Sequence, residues 1–408
     1  MSTPSRARGG LGPLDEYPLH QVPQPIGWPG SSDRHFYDRC YFNAHDRTGD
    51  IFVISGMGYY PNLRTKDAFF LVTRGDQQTA VHLGGEIDDD RLHQQVGGYR
   101  LEVIEPLQKI RMVLEETEGL AADLTWEGSF EVVQEQRHVM RQGARVTLDA
   151  QRFAQVGTWS GSLSVDGEEI AVSPDAWVGS RDRSWGIRPV GEAEPAGRPA
   201  DFDGMWWLYV PMRFEDYAIV VIMQEDGDGI RTLNDCTRVW KDGRVEQLGW
   251  PQVTIHYTPG GRTPTGATLE CATRQGPLRI EVESRLAVPL HFGGGYGGDQ
   301  DWLHGQWHGE SFVERRTYDL TSDAVKSMFM FGCVDHVGRA VVHENGTETG
   351  NHPQAPPRHH HPWSTDEPRP RRLLHRRRLA RAGYRRHPAG RLPAQRRGHR
   401  HRARGVHR

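Results

Sequence analysis

The chain has 408 residues, with 50 Lys+Arg against 53 Asp+Glu, and its formal charge of −3 hides two opposite parts. Residues 351–408 hold 17 Arg, no Lys, nine His and two acids, a charge of +15, while residues 1–350 set 33 basic against 51 acidic residues, a charge of −18. So acidic a body excludes phosphate backbones and anionic membrane surfaces as its main partners, although the basic tail could bind them non-specifically; four scattered cysteines with no C-x-x-C pair exclude a zinc ribbon or a disulfide scaffold.

In chain order, residues 1–30 are rich in Pro, Gly and Arg and lack the apolar core of a signal peptide, so they read as a flexible arm. No run approaches the roughly eighteen apolar residues of a membrane span, and the thiols suit a reducing compartment, so the expected location is cytoplasmic. Residues 35–42 (HFYDRCYF) alternate polar and aromatic groups as a half-buried strand does, with Tyr37 or Tyr41 either facing a ligand or packed in the core. Short β-branched and aromatic runs follow at 50–55, 68–73, 100–104, 109–114 and 125–133, punctuated by Gly, Asn, Asp and Pro at the spacing of a sandwich or barrel. Asp166-Gly167 and Asp242-Gly243 sit between strand-like flanks and predict tight hairpins. Residues 217–223 (YAIVVIM) predict a strand buried on both faces. Helical signals are weak, with short turns conceivable at 92–96 and 314–318. A polar, Pro/Gly-rich linker at 190–203 divides the body into a first β-barrel domain, 31–190, and a second, 191–350.

The densest chemistry flanks that linker. If 177–186 (WVGSRDRSWG) is extended, Trp177, Arg181, Arg183 and Trp185 share one face, and Ser180, Asp182 and Ser184 the other. One reading makes Asp182 an acid in a cavity walled by Trp185, Trp206, Trp207 and Tyr209, with Gln155 and Arg152 as orienting polar groups. Aromatic faces stabilise a passing cation, and a desolvated carboxyl can hold its proton. The other reading is a structural lock, with Arg181 and Arg183 pairing acids across the domain junction. The glycine-rich segment 292–310 lacks the Gly-Lys-Ser/Thr of a nucleotide loop. It reads either as a loop carrying Trp302, His304, Trp307 and His308 to a cavity mouth or as an ordinary loop closed by buried tryptophans. Asp335-His336, at the end of the strand expected at 327–334, reads either as a dyad or, by preference, as a strand-end turn. The tail's Arg, Pro, His, Ala and Gly are the vocabulary of GC-rich DNA read in a shifted frame, so 351–408 is expected to be disordered. A basic arm is the alternative, and His359-His360-His361 lacks the ligand spacing of a metal site.

The run 179–188 (GSRDRSWGIR), with Gln155-x-Gly157-x-x-x-Gly161 upstream and Gly295-Tyr296-Gly297-Gly298-Asp299 and Trp302-x-His304-Gly305 downstream, resembles a bacterial family distantly similar to hydroxyneurosporene synthase (carotenoid hydratase) and tocopherol-cyclase-like proteins. The resemblance covers residues 31–350. It implies an all-β fold of two consecutive lipocalin-like antiparallel barrels, with a ligand cavity in or between them. It also implies metal-independent, cofactor-free hydration, cyclisation or isomerisation of an apolar terpenoid, steroid or lipid-like molecule. By local pattern, Asp182 near Trp185 matches the acid among aromatics that such hydratases use. A non-catalytic carrier and a purely structural module are the rival expectations. Nothing in the sequence sets the oligomeric state.

Overall fold

The computed structural model describes residues 11–190, 204–261, 263–329 and 332–344, and the backbone of the short strands Thr347–Thr349, Pro353–Gln354 and Arg358–His360. All lie in one compact unit, Met1–Ser364. Residues 1–10, most of the expected linker and most of the expected tail, including the unit Thr365–Arg408, lie outside the described residues.

Almost every described element is an antiparallel strand, and the strands form two sheets. The first runs Ser311–Asp319, Gln77–Glu86, Thr65–Arg74, Ile51–Tyr60, Phe36–Asp46, Trp177–Ile187, Arg145–Val165, Leu120–Gly128, Lys109–Thr117, Tyr99–Glu105. A strand from beyond residue 310 therefore pairs in the sheet otherwise built from residues before 190. The second runs Val245–Gln247, Arg231–Trp240, Tyr217–Asp226, Met205–Arg213, Arg358–His360, Cys333–Glu344, Gly276–Val288, Pro264–Thr273, Gln252–Tyr257. Arg358–His360, inside the stretch expected to be disordered, thus has its backbone paired with strands on both sides.

Each sheet curls around its own core, Phe42, Met57, Phe70, Tyr99, Trp126 and Trp159 in the first, Leu208, Val210, Val221, Leu269, Ile280 and Val342 in the second. The other faces of the two sheets meet. Tyr41, Ile54, Phe69 and Leu71 pack on Val288, Leu290 and Val337 in one cluster, and Phe130, Ala154 and Val156 pack on Tyr209, Val220 and Ile222 in another. This double demand explains the continuous apolar runs. Strands Ile51–Tyr60, Thr65–Arg74 and Tyr217–Asp226 cover a core on one side and the sheet junction on the other, and are buried almost throughout. The fold is thus all-β, in the form of two curled antiparallel half-barrels.

Asp166 and Gly167 close a two-residue hairpin with φ of 50° and 85°, the left-handed pair such a turn requires. Elsewhere the sequence reading is corrected. Residues 314–318 belong to the strand Ser311–Asp319, where Phe312, Glu314, Arg316 and Tyr318 share the half-buried face and Val313 is exposed on the other. Of the strand expected at 327–334, Ser327 and Met328 instead end the helix Asp323–Met328, capped by Ser322, and Cys333 and Val334 open the strand Cys333–Glu344. Asp335 and His336 accordingly lie buried within a strand, not in a turn.

Candidate functional site

Register brings the site together. Cys40 pairs with Arg183 and Tyr41 with Asp182 on one side of the strand Trp177–Ile187, while Asp182 pairs with Ala154 and Ser184 with Arg152 on the other. Because side chains alternate across a strand, one sheet face carries the row Arg39–Ser184–Arg152 beside the row Tyr41–Asp182–Ala154. Asp182 is therefore diagonal to two arginines. This face looks toward the second sheet, and between them lies a cavity of about 350 Å³. Arg39, Tyr41, Arg152, Asp182 and Ser184 form its floor, Met205 and Trp207 the opposite wall, Arg188 and Val190 one side, and Gly295, Tyr296, Leu303 and His304 the roof. A recess of about 40 Å³ continues behind Arg152 and Arg188 to Tyr37, Glu135 and His138. A larger groove of about 1340 Å³ lies under residues 11–32, but none of its lining residues is a buried polar one. The chemistry is in the smaller cavity.

Its charges are arranged in pairs. Arg39, 3 % exposed, bonds Asp67 at 3.2 Å and the Tyr60 hydroxyl at 2.8 Å. Its guanidinium lies 5.4 Å and 5.9 Å from the ring centres of Phe69 and Tyr296. Burial works against the Arg39 charge, but Tyr60, Tyr296 and Asp67 outweigh it and hold the proton more tightly than usual. Arg152 donates from Nε to Glu135 at 2.7 Å and lies over the rings of Trp207 and Tyr209, at 4.7 Å and 5.2 Å. Burial raises the Glu135 carboxyl, Arg152 opposes the rise, and the charges of Asp182 and Asp235 add to it. Asp182 is 5 % exposed. Beside it, Tyr41 donates to the fully buried Asp335, and Asn43 Nδ2 donates to Ser180 Oγ at 3.0 Å.

His304 is neutral, pushed well below the ordinary imidazole range first by burial and then by the positive charges of Arg39 and Arg188. Nε2 donates to the Gly294 carbonyl at 2.7 Å, so Nδ1 accepts from Arg188 at 3.0 Å. With both nitrogens occupied, His304 positions the arginine and is not a proton carrier in the cavity. The glycine at 295, with φ of 80°, is required here, because a Cβ would collide with the His304 ring.

Of the residues singled out from sequence, Asp182, Arg152, Trp207 and His304 line one cavity, and Tyr37 lines its recess beneath Arg188, 4.8 Å from the guanidinium. Tyr209 stands beside it in the junction cluster. The others point elsewhere. Trp185 is on the opposite strand face to Asp182, 38 % exposed, its ring 6.4 Å from that of Phe153. Gln155 is buried in the first sheet, where it donates to the carbonyls of Leu107 and Phe130 and accepts from Arg181 at 2.8 Å. Trp206 packs on the second core, one residue out of phase with Trp207. Trp302 lies in the junction, bonded to Glu314 at 3.2 Å with Arg316 over its ring. Arg181 and Arg183 bridge no junction. Arg183 pairs with Asp38 at 2.9 Å on the neighbouring strand, and burial lowers Arg181 to about 10. Trp307 is exposed and the ring of His308 lies 4.4 Å from that of Phe312. Sequence reading gave no site role to Arg39, Glu135, Arg188 and Tyr296, which the register and the fold bring to the cavity or its recess.

These features define an all-β protein with a ligand-sized cavity between two curled sheets, floored by a buried carboxylate among arginines and aromatic rings. The chain belongs to the family of unknown function DUF8625, whose model matches residues 11–349. Among curated proteins none matches it in sequence. Among solved structures it is similar to an AttH-type protein from Nitrosomonas europaea, at 10% identity and a TM-score of 0.48 over 84% of this chain and 97% of that one. Kievitone hydratase from Nectria haematococca aligns at 14% identity and a TM-score of 0.46, covering 80% and 89%. The protein CghA, solved with Sch210972, aligns at 12% and 0.49, covering 81% and 89%.

Proposed function

We propose that the inter-sheet cavity binds a lipid-like or terpenoid small molecule and that Asp182 is the acid of a proton-driven hydration, cyclisation or isomerisation. The observation that carries this reading is the placement of a 5 % exposed carboxyl in the wall of a cavity that also presents Trp207, Tyr296, Met205, Leu303 and Val190. In its acid form Asp182 would give its proton to an alkene carbon. A C–H bond forms, the π bond breaks, and positive charge develops on the adjacent carbon against the ring faces of Trp207 and Tyr296. Attack by water followed by proton return to Asp182 gives the alcohol. Attack by a second double bond and proton loss gives a ring, and direct proton loss gives the isomer. In each case the carboxyl is restored.

A carrier without turnover is the second reading. It draws on the fact that the Arg152–Glu135 pair, stacked on Trp207 and Tyr209, fixes the wall through contacts that need no reaction. Native mass spectrometry of the purified chain, followed by incubation of the retained molecule with wild type and Asp182→Asn, separates the two. We expect the variant to keep binding and to lose turnover by a factor on the order of 10² or more. Unchanged turnover in Asp182→Asn would end the acid assignment, and binding with no turnover in wild type would leave the carrier.

A further inference from the structure

The cavity has an end that a hydrocarbon cannot satisfy. Arg39 uses Nη1 for Tyr60 and Asp67, while its Nε and Nη2, both buried, have no hydrogen-bond partner among the described residues. Arg188 gives Nη2 to His304, and its buried Nε likewise has none. Buried donors left without acceptors are costly, and guanidinium groups prefer charged oxygen acceptors above all. The two arginines converge, since both bear electrostatically on His304 and on Tyr60, and both line the same cavity. The far end is different in kind, because Arg152 is engaged by Glu135 and covered by aromatic rings.

We infer that the ligand is an amphipathic acid, with a carboxylate or enolate-type oxygen group held by Arg39 and Arg188 and an apolar body lying along Trp207, Met205 and Leu148. This deepens the proposed function and rests on that reading of the cavity. The charges facing this end are consistent with it. Asp67 is bonded to Arg39, to the Tyr60 hydroxyl at 3.3 Å and to the Gly305 amide at 2.6 Å, and Asp335 is bonded to Tyr41. His304 is neutral. Asp182 is the remaining cavity acid, and in the protonated form the reaction needs it does not repel an anion.

The test is titration calorimetry on the full chain with two rigid probes of one shape, 2-naphthoate and its neutral analogue 2-naphthamide. We expect 2-naphthoate to bind wild type at least about tenfold more tightly, and the preference to fall below about twofold in Arg188→Gln and in Arg39→Gln. Arg39→Gln strands Asp67 in the interior. Arg188→Gln changes a half-buried residue that forms no ion pair with an acid among the described residues, and so decides the matter if the first variant does not fold. Equal binding of the two probes by wild type, or a preference undiminished in Arg188→Gln, overturns the inference. If equal binding is also abolished by Trp207→Ala, the cavity reading stands while the acid ligand falls. Binding of neither probe overturns both.

Discussion

At the scale of single residues, the pair Arg152–Glu135 holds the back of the cavity, and its energetics are asymmetric. Glu135 is 3 % exposed in its side chain and Arg152 12 %, so removing one partner leaves the other desolvated and unpaired. Arg152→Met is expected to cost about 3 kcal/mol or more of unfolding free energy. The double variant Arg152→Met/Glu135→Gln is expected to recover much of that loss, because no uncompensated charge remains. Urea unfolding of the two variants checks this, and a double variant no more stable than the single would refute the pairing argument. The same scale explains what the sequence reading got right and wrong about the site. Period-two alternation in 177–186 puts Ser180, Asp182 and Ser184 on one face, and two of these line the cavity. That same alternation already set Trp185 on the other face, so Trp185 and Asp182 cannot share a wall. Trp206 and Trp207 differ for the same reason, since only the second has the parity that faces the first sheet.

At the scale of elements, the strand Trp177–Ile187 organises the site by pairing with Phe36–Asp46 on one side and Arg145–Val165 on the other. Close approach at Gly179 permits this. A Cβ there would collide with the Asn43 carbonyl oxygen and stand 2.9 Å from the Trp159 indole nitrogen, which itself donates to that carbonyl at 2.8 Å. Gly179→Ala is therefore expected to lower stability by about 2 kcal/mol or more, a shift in Tm of roughly 3 °C for a unit of this size. A thermal melt within a degree of wild type would contradict it. Strand content was legible in the sequence because β-branched runs, aromatic alternation and Asp-Gly turns are local signals. Register was not. The partnership of Tyr41 with Asp335 joins residues 294 apart, and that of Arg39 with Asp67 depends on two intervening pairings. The glycine-rich segment 292–310 reads from sequence either as a loop at a cavity mouth or as an ordinary loop, and which of its side chains face inward follows from backbone turns that composition does not encode.

At the scale of the whole molecule, burying titratable groups between and within two half-barrels makes stability depend on pH. Burial holds His45, His82, His138 and His336 down to about 4, and lowers His291 as well. The unfolded chain takes up these protons near 6.5, so between about 6.5 and 4 it binds protons that the native state refuses. Their stabilising contribution is complete above pH 6.5 and is lost as pH falls toward 4. Glu135 and Asp235, raised chiefly by burial, act in the opposite sense and offset part of the loss. The urea midpoint is expected to fall steadily from pH 7 to pH 4.5, and a flat profile would contradict the buried neutral histidines. Membrane insertion through helices is not a feature of the described residues, since none forms a helix long and apolar enough to cross a bilayer.

The central claim is one of place: the ligand sits between the two sheets rather than inside either one. A crystal structure of the full chain with its retained molecule, or with 2-naphthoate, tests this directly. The account predicts density bounded by Trp207, Tyr296 and Asp182, with an oxygen group toward Arg39 and Arg188. A ligand lodged in the first sheet's interior beside Arg181 and Arg183, with the inter-sheet cavity empty, would contradict it.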